Sequence, residues 1–192
     1  MFRFEQLRVV SMDHQSHCRP PQSPSEPVLE DAATEAARGN PDAQFHLGIT
    51  CAGEGPSQDY PRAIEWYSKA ANQNHPLAQF NLGIMYANGQ GVKQNHQEAE
   101  IWFGKSARLG DAGAQHRLGM NRYQASIDGL PESMSESRIE AYKWFVLSAA
   151  KGYCGSESAR DTVVLKMSHA DVLEATERVV AFMRTIRGNP ES

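Results

Sequence analysis

The chain has 192 residues, of which 40% are apolar, and 19 Lys and Arg against 23 Asp and Glu give a formal charge of −4. That length suits one domain with or without a tail, and the apolar share is enough for a core. Charges of both signs are interspersed with no basic block, which argues against a nucleic-acid partner, and no apolar run reaches the roughly 18–20 residues that span a bilayer.

Residues 1–27 read as a disordered tail. Pro20, Pro21, Pro24 and Pro27 remove amide donors and fix φ, and few apolar residues follow Val10. Met1 to Val10 alternates apolar and charged residues instead of forming the 7–15-residue apolar stretch of a secretory signal, so a cytoplasmic location is expected. A short strand or docking segment through Phe2, Phe4, Leu7, Val9 and Val10 is the lesser alternative. His14, His17 and Cys18 have spacing that a soft divalent metal accepts, but no fourth ligand is evident, and a chance cluster is the preferred reading. Cys18, Cys51 and Cys154 give no disulfide or zinc spacing.

From Leu29 onward the chain repeats itself. Ala43-Gln44-Phe45-His46-Leu47-Gly48 recurs as Ala78-Gln79-Phe80-Asn81-Leu82-Gly83 and again as Ala114-Gln115-His116-Arg117-Leu118-Gly119. A second block, Ala63 to Ala71, recurs as Ala99 to Ala107 and as Ala141 to Ala149, which puts Trp66, Trp102 and Trp144 in one column. In the first block Ala and Leu lie four apart on one helix face, and Ala and Gly let a second helix approach closely. In the second, Ala63, Trp66 and Ala70 form the stripe of an amphipathic helix. Gly39, Asn74, Gly110 and Gly152 stand where a left-handed residue closes the second helix, and Pro41 and Pro76 fall in the first turn of the next. Asn40, Asp59 and Asn95 are natural N-caps.

The chain is therefore expected to be all-α: an α-α superhelix, a short solenoid of about three helix-hairpin repeats with helical caps. Helices A are predicted over about 41–52, 76–87 and 112–124, and helices B over about 59–73, 95–109 and 136–151. Leu29 to Arg38 reads as an orphan helix B that covers the first end. Residues 125–135 read as a long loop in the third repeat, with Ile127, Leu130 and Met134 beside Pro131. The expected organisation is a tail over 1–27, an array over 28–152 and capping helices over 153–192. Ser168 and Asp171 have capping-box spacing before a last helix, whose stripe of Val172, Thr176, Val179, Val180, Met183 and Ile186 is expected to seal the last repeat.

The series Ala78, Leu82, Gly83, Tyr86, Gly89, Gly91 and Val92, followed by Ala99, Trp102, Phe103, Lys105, Ala107 and Gly110, resembles the Sel-1-like repeat, a branch of the tetratricopeptide superfamily. The likeness spans roughly residues 30–152, and the run from Ala159-Arg160-Asp161 to Met167-Ser168 resembles the way bacterial members end. The other copies depart from the pattern. The first has Cys51 at the tyrosine column and Gly55-Pro56 in place of Gly-Val, and the third has Arg122 at that column and no Gly-x-Gly-Val element.

The resemblance implies a protein or peptide partner held along the concave face of helices A. Phe45, Phe80 and His116 form one column there, and Ile49, Ile84 and Met120 the next. The aromatic and aliphatic residues are equally readable as packing between adjacent helices. His46, Asn81 and Arg117, which change chemistry from copy to copy, are better suited to water or a ligand. No catalytic set, metal site or cofactor motif is evident. Asn88-Gly89-Gln90-Gly91-Val92 lacks the preceding strand of a phosphate cradle and reads as an inter-helix turn. An adaptor, not an enzyme, is the expectation. The alternatives are a hydrolase-type or β-lactam-binding enzyme related to cysteine-rich repeat proteins, whose paired cysteines this chain lacks, and a secreted host-interaction effector.

Overall fold

The computed structural model describes residues 26–53 and 58–187. The tail read over 1–27, with its candidate strand and its His14, His17 and Cys18 cluster, lies almost wholly outside them. The described residues form nine helices and no strand: α1 (Glu26–Ala37), α2 (Pro41–Ala52), α3 (Tyr60–Asn72), α4 (Pro76–Asn88), α5 (His96–Arg108), α6 (Ala112–Asp128), α7 (Pro131–Ala149), α8 (Ser156–Val164) and α9 (His169–Arg187). Helices α2–α3, α4–α5 and α6–α7 are three antiparallel pairs, each packed on the next, and α1 covers the first.

The pairs start and stop where local chemistry tells them to. Asn40, His75 and Asp111 occupy one N-cap column. Asn40 Oδ1 accepts from the Asp42 and Ala43 amides at 2.9 and 3.1 Å. His75 Nδ1 accepts from Ala78 at 3.1 Å, and Asp111 Oδ1 from Ala114 at 2.6 Å. Asp59 and Asn95 cap α3 and α5 in the same way. At the other ends Gly39, Asn74, Gly110 and Gly152 have φ of +97°, +63°, +89° and +72°. Each donates back into the helix it ends, and the following amide reaches one residue further back, as in Asn74 to Ala71 and His75 to Ala70, both at 3.1 Å.

Within each pair the glycine of helix A lies under an aromatic ring of helix B. A Cβ on Gly48, Gly83 or Gly119 would fall 2.5–2.7 Å from ring atoms of Tyr67, Phe103 and Phe145 respectively. Between pairs runs a ladder of buried amides. Gln44, Gln79 and Gln115 each donate through Nε2 to the carbonyl eight residues earlier, at Ala36, Ala71 and Ala107, at 3.0–3.1 Å. The tryptophans complete the stacking. Trp102 packs on the core of the first pair and Trp144 on that of the second, with Lys69, Lys105 and Lys143 ammonium groups over Trp66, Trp102 and Trp144 at 3.9, 3.8 and 4.7 Å.

Two expectations need correction. The segment 125–135 is not a long loop. Helix α6 runs to Asp128 and α7 starts at Pro131, leaving Gly129 and Leu130 as the turn. Nothing between Ala125 and Asp128 breaks a helix, so the third pair lacks the Gly-x-Gly turn because its helices are longer. The sealing face of α9 is also rotated from the stripe read in sequence. Ala175 and Val179 are buried, with Val172, Phe182 and Met183 partly so, whereas Thr176, Val180 and Ile186 are exposed. Phe182 meets the Trp144 ring edge-on at 5.3 Å. The capping box is present, with Ser168 N donating to Asp171 Oδ2 at 3.0 Å and Asp171 N to Ser168 Oγ at 3.1 Å.

Helix α8 continues the stacking. It packs on α7 as each helix A packs on the preceding helix B. Its buried Ser156 donates to Ser148 Oγ at 2.9 Å, across the same eight-residue separation as the glutamine ladder.

Candidate binding face

The sequence placed three columns on the exposed side of helices A, and the structure separates them. Phe45, Phe80 and His116 serve first as packing between consecutive pairs. Phe45 is only 9% exposed and stacks on His75 at 4.6 Å, beneath the start of α4. Phe80 is half-buried, 5.7 Å from the Phe103 ring and close under Gly113 in the first turn of α6. His116 is half-buried between the rings of Phe145 and Tyr153, at 5.5 and 5.1 Å, and its Nδ1 lies 2.8 Å from Ser156 Oγ. Ile49 and Ile84 are half-buried against the cores of the first and second pairs.

The remaining positions face outward. His46 and Arg117 are exposed and Met120 is 44% exposed. Asn81 is half-buried and hydrogen-bonded to the hydroxyl of Tyr67, whose pKa burial pushes up to about 12. The Arg117 guanidinium stands 5.9 Å from the Phe103 ring. No carboxylate occupies these columns, so the outward row is neutral to cationic. Asp42, one turn before His46, is paired with His75 Nε2 at 3.1 Å.

A shallow cleft of about 310 Å³ opens at the far end of this face. Its walls are His116, Met120 and Tyr123 from α6 and Ser158, Ala159 and Thr162 from α8, with Gly155 just before α8. Burial first, then the neighbouring Arg117 charge, lowers the pKa of His116 below the usual imidazole value. The histidine thus favours the folded state fully above its ordinary range, and loses that contribution as pH falls through its lowered value. Sequence reasoning found His116 and Met120 but not the contribution of α8. The available signal was Gly152, a fourth helix-closing residue in register with Gly39, Asn74 and Gly110.

Among the described residues no group of three or more His, Cys, Asp and Glu is arranged to hold a metal. Cys51 and Cys154 are free. No helix among the described residues is long and apolar enough to cross a membrane.

The sequence model of the Sel1 repeat matches residues 41–75, 76–111 and 112–153, one match for each helix pair. Among solved structures, a Sel1 repeat protein from Oxalobacter formigenes is 31% identical, over 71% of this chain and 99% of that one, with a TM-score of 0.59. A protective antigen of uropathogenic Escherichia coli with an SLR fold is 24% identical over 83% of this chain, with a TM-score of 0.58, and shows likeness of fold. This chain spans 41% of that antigen's length. No curated protein matches the sequence.

Proposed function

Because the chain belongs to the Sel1 repeat family, a fold that is generally a protein-interaction scaffold, we propose that it is an adaptor holding a peptide or helix of a partner protein along the concave face of helices A. The observation that carries this reading is the split between buried repetition and exposed variation. Ala78, Leu82, Ala114 and Leu118 repeat and are buried, as do Gln44, Gln79 and Gln115. One position before each Leu, His46, Asn81 and Arg117 differ in charge and hydrogen-bonding character. Mutual packing explains the first set. It does not require the exposed His46 and Arg117, and a surface that varies on a constant frame is what graded recognition of an extended partner uses.

In this reading His46, Asn81 and Arg117 orient the partner. Ile49, Ile84 and Met120 supply apolar contact, and the ring edges of Phe80 and His116 lie beneath it. Phe45 contributes chiefly to the core. The array works without catalysis, and its partner is a protein instead of a nucleic acid or a membrane. The tail at 1–27 and the capping helices from 153 onward flank the recognition array, and a cytoplasmic setting goes with this role.

The test is affinity capture with mass spectrometry on the wild-type chain and on a His46→Glu, Arg117→Glu double variant. Both substitutions are at exposed sites and are expected to leave the helical content and melting temperature unchanged. A partner set lost in the variant supports the helix-A face. An unchanged set with the fold intact removes it.

A further inference from the structure

His75 shares an N-cap column with Asn40 and Asp111, and it differs from both in what a proton does to it. An amide does not titrate, and a carboxyl group keeps an acceptor oxygen when protonated, but a ring nitrogen that gains a proton stops accepting. A backbone amide only donates, so the 3.1 Å contact from Ala78 N puts the lone pair on His75 Nδ1 and the ring proton on Nε2. That Nε2–H lies 3.1 Å from Asp42 Oδ1 on α2. The Phe45 ring stacks on the imidazole at 4.6 Å, with 26° between the planes. Both nitrogens are engaged, and the side chain is 11% exposed.

A second proton has one place to go, Nδ1. There it ends the bond from Ala78 and sets a positive charge against the first turn of α4, where the helix dipole is already positive. The same proton turns the contact with Asp42 into an ion pair and lays a cation on the face of Phe45. The ring exchanges a tie within its own helix for a firmer tie to the pair before it. Asp42 is 77% exposed, so water screens the new ion pair, and nothing replaces the cap at Ala78. The surroundings leave this exchange to Asp42. Among the described residues it is the charged group within ion-pair reach of the ring. His46 and Tyr67 each lie 5.8 Å from the Phe45 ring, and a pKa of about 12 keeps the Tyr67 hydroxyl neutral. Lys69 of α3 is held over Trp66, α4 has no titratable residue before Tyr86, and α5 meets Pro76 through the neutral Ser106 hydroxyl.

We propose that His75 is a pH-operated latch between the first two pairs: neutral, it caps α4; protonated, it releases the Ala78 amide and grips Asp42 and Phe45 instead. The released turn carries Leu77, which is 46% exposed, and it directly precedes Phe80 and Asn81. Mild acid thus loosens the entry to the middle of the helix-A face while the joint between the pairs holds. From Gln79 N, which donates to the His75 carbonyl at 3.1 Å, the backbone bonds of α4 do not use the imidazole, so the rest of the helix stays closed. The device needs no partner and stands apart from the adaptor reading.

The experiment follows the full chain by NMR from about pH 8 to about pH 5, the span over which imidazoles change charge. The ring nitrogen shifts of His75 report its tautomer and charge. Exchange of the Ala78 amide, corrected for its intrinsic dependence on pH, reports the cap. The lone pair is expected on Nδ1 at the upper end, with about a fivefold loss of Ala78 protection in step with protonation of the ring, the size of one lost cap. The Leu82 amide should keep its protection throughout. His75→Asn, which copies the Asn40 cap, should hold Ala78 protected with no step. A proton on Nδ1 at high pH, a ring that stays neutral across the range, Ala78 protection that ignores the charge of His75, or a step that survives in His75→Asn would overturn the proposal.

Discussion

Leu109 stands where the first pair has Gln73, and the exchange leaves a buried acceptor unserved. Gln73 Nε2 donates to Gln44 Oε1 at 2.8 Å, which completes the first rung of the amide ladder. In the second pair the corresponding Gln79 is 2% exposed, and its Oε1 has no partner among the described residues, because leucine has nothing to donate. Leu109 is itself 40% exposed, so little apolar burial is at stake. Leu109→Gln is expected to restore the rung and stabilise the chain by about 0.5–1.5 kcal/mol. A urea midpoint below that of the wild type would refute it. Asp111 gives a second residue-scale expectation. Burial raises its carboxyl pKa above the usual range, against the opposing pull of the Ala114 amide and Lys151. The folded state therefore holds the Asp111 proton more tightly than the unfolded chain does. Its contribution to stability is fully present below the ordinary carboxylate range and is lost as pH rises through the raised value. Asn40 fills the same cap column with a neutral amide. Asp111→Asn should keep the cap, and the stability of the variant relative to wild type should increase from about pH 3 to pH 7. Melting curves across that range decide it, and a difference that is flat or falls with pH would count against the assignment.

At the scale of elements, what could be read from the sequence was local chemistry, and what could not was orientation. Caps, closing glycines and first-turn prolines act within one turn, so α2, α3, α4 and α5 fall within a residue or so of their expected bounds. The role of Gln44, Gln79 and Gln115 was hidden, because their acceptors belong to the preceding helix, α1, α3 or α5, and nothing in the column itself names them. The face of α9 was misjudged because helical period gives a stripe without fixing its rotation, and the partner surface on α7 selected Ala175 and Val179. The candidate site divides in the same way: polarity placed His46 and Arg117 outside correctly, while Phe45 went to the core by its stacking on His75. One element-scale contact is testable directly. In α4, a Cβ on Gly83 would lie 2.5 Å from Phe103 Cε1, and Phe103 is 2% exposed. A buried ring has little room to give, so Gly83→Ala should destabilise by about 1–3 kcal/mol despite the higher helix propensity of alanine. A variant as stable as wild type in denaturant would show that α4 and α5 can separate at no cost.

Across the whole molecule, ionised contacts weigh more at the C-terminal end than in the interior, and acid should separate the two. The three pairs join mainly through apolar clusters and neutral amide-to-carbonyl bonds, which do not titrate, with the Asp42–His75 and Glu100–Arg122 contacts at their margins. Helix α9, in contrast, adds a set of ionised contacts to its apolar seal on α7. Arg178 reaches Glu136 at 2.5 Å and Glu140 at 2.9 Å, and Ser135 donates to Asp171 at 2.6 Å. Arg178 lowers the pKa of Glu136, and Ser135 followed by Ser168 lowers that of Asp171. For both acids the folded value is depressed. Their contribution is present above the ordinary carboxylate range and is lost as pH falls through the lowered values. In a linear array each element is stabilised by its neighbours, so loss of the end contacts opens the end first. Hydrogen exchange is therefore expected to show protection of α9 amides collapsing at acid pH while α4 and α5 remain protected. Arg178→Ala should produce the same opening at neutral pH and leave little further acid dependence at α9. If α9 and α5 lose protection together in acid, the end is coupled to the whole stack, and the carboxylate contacts are not what holds it in place.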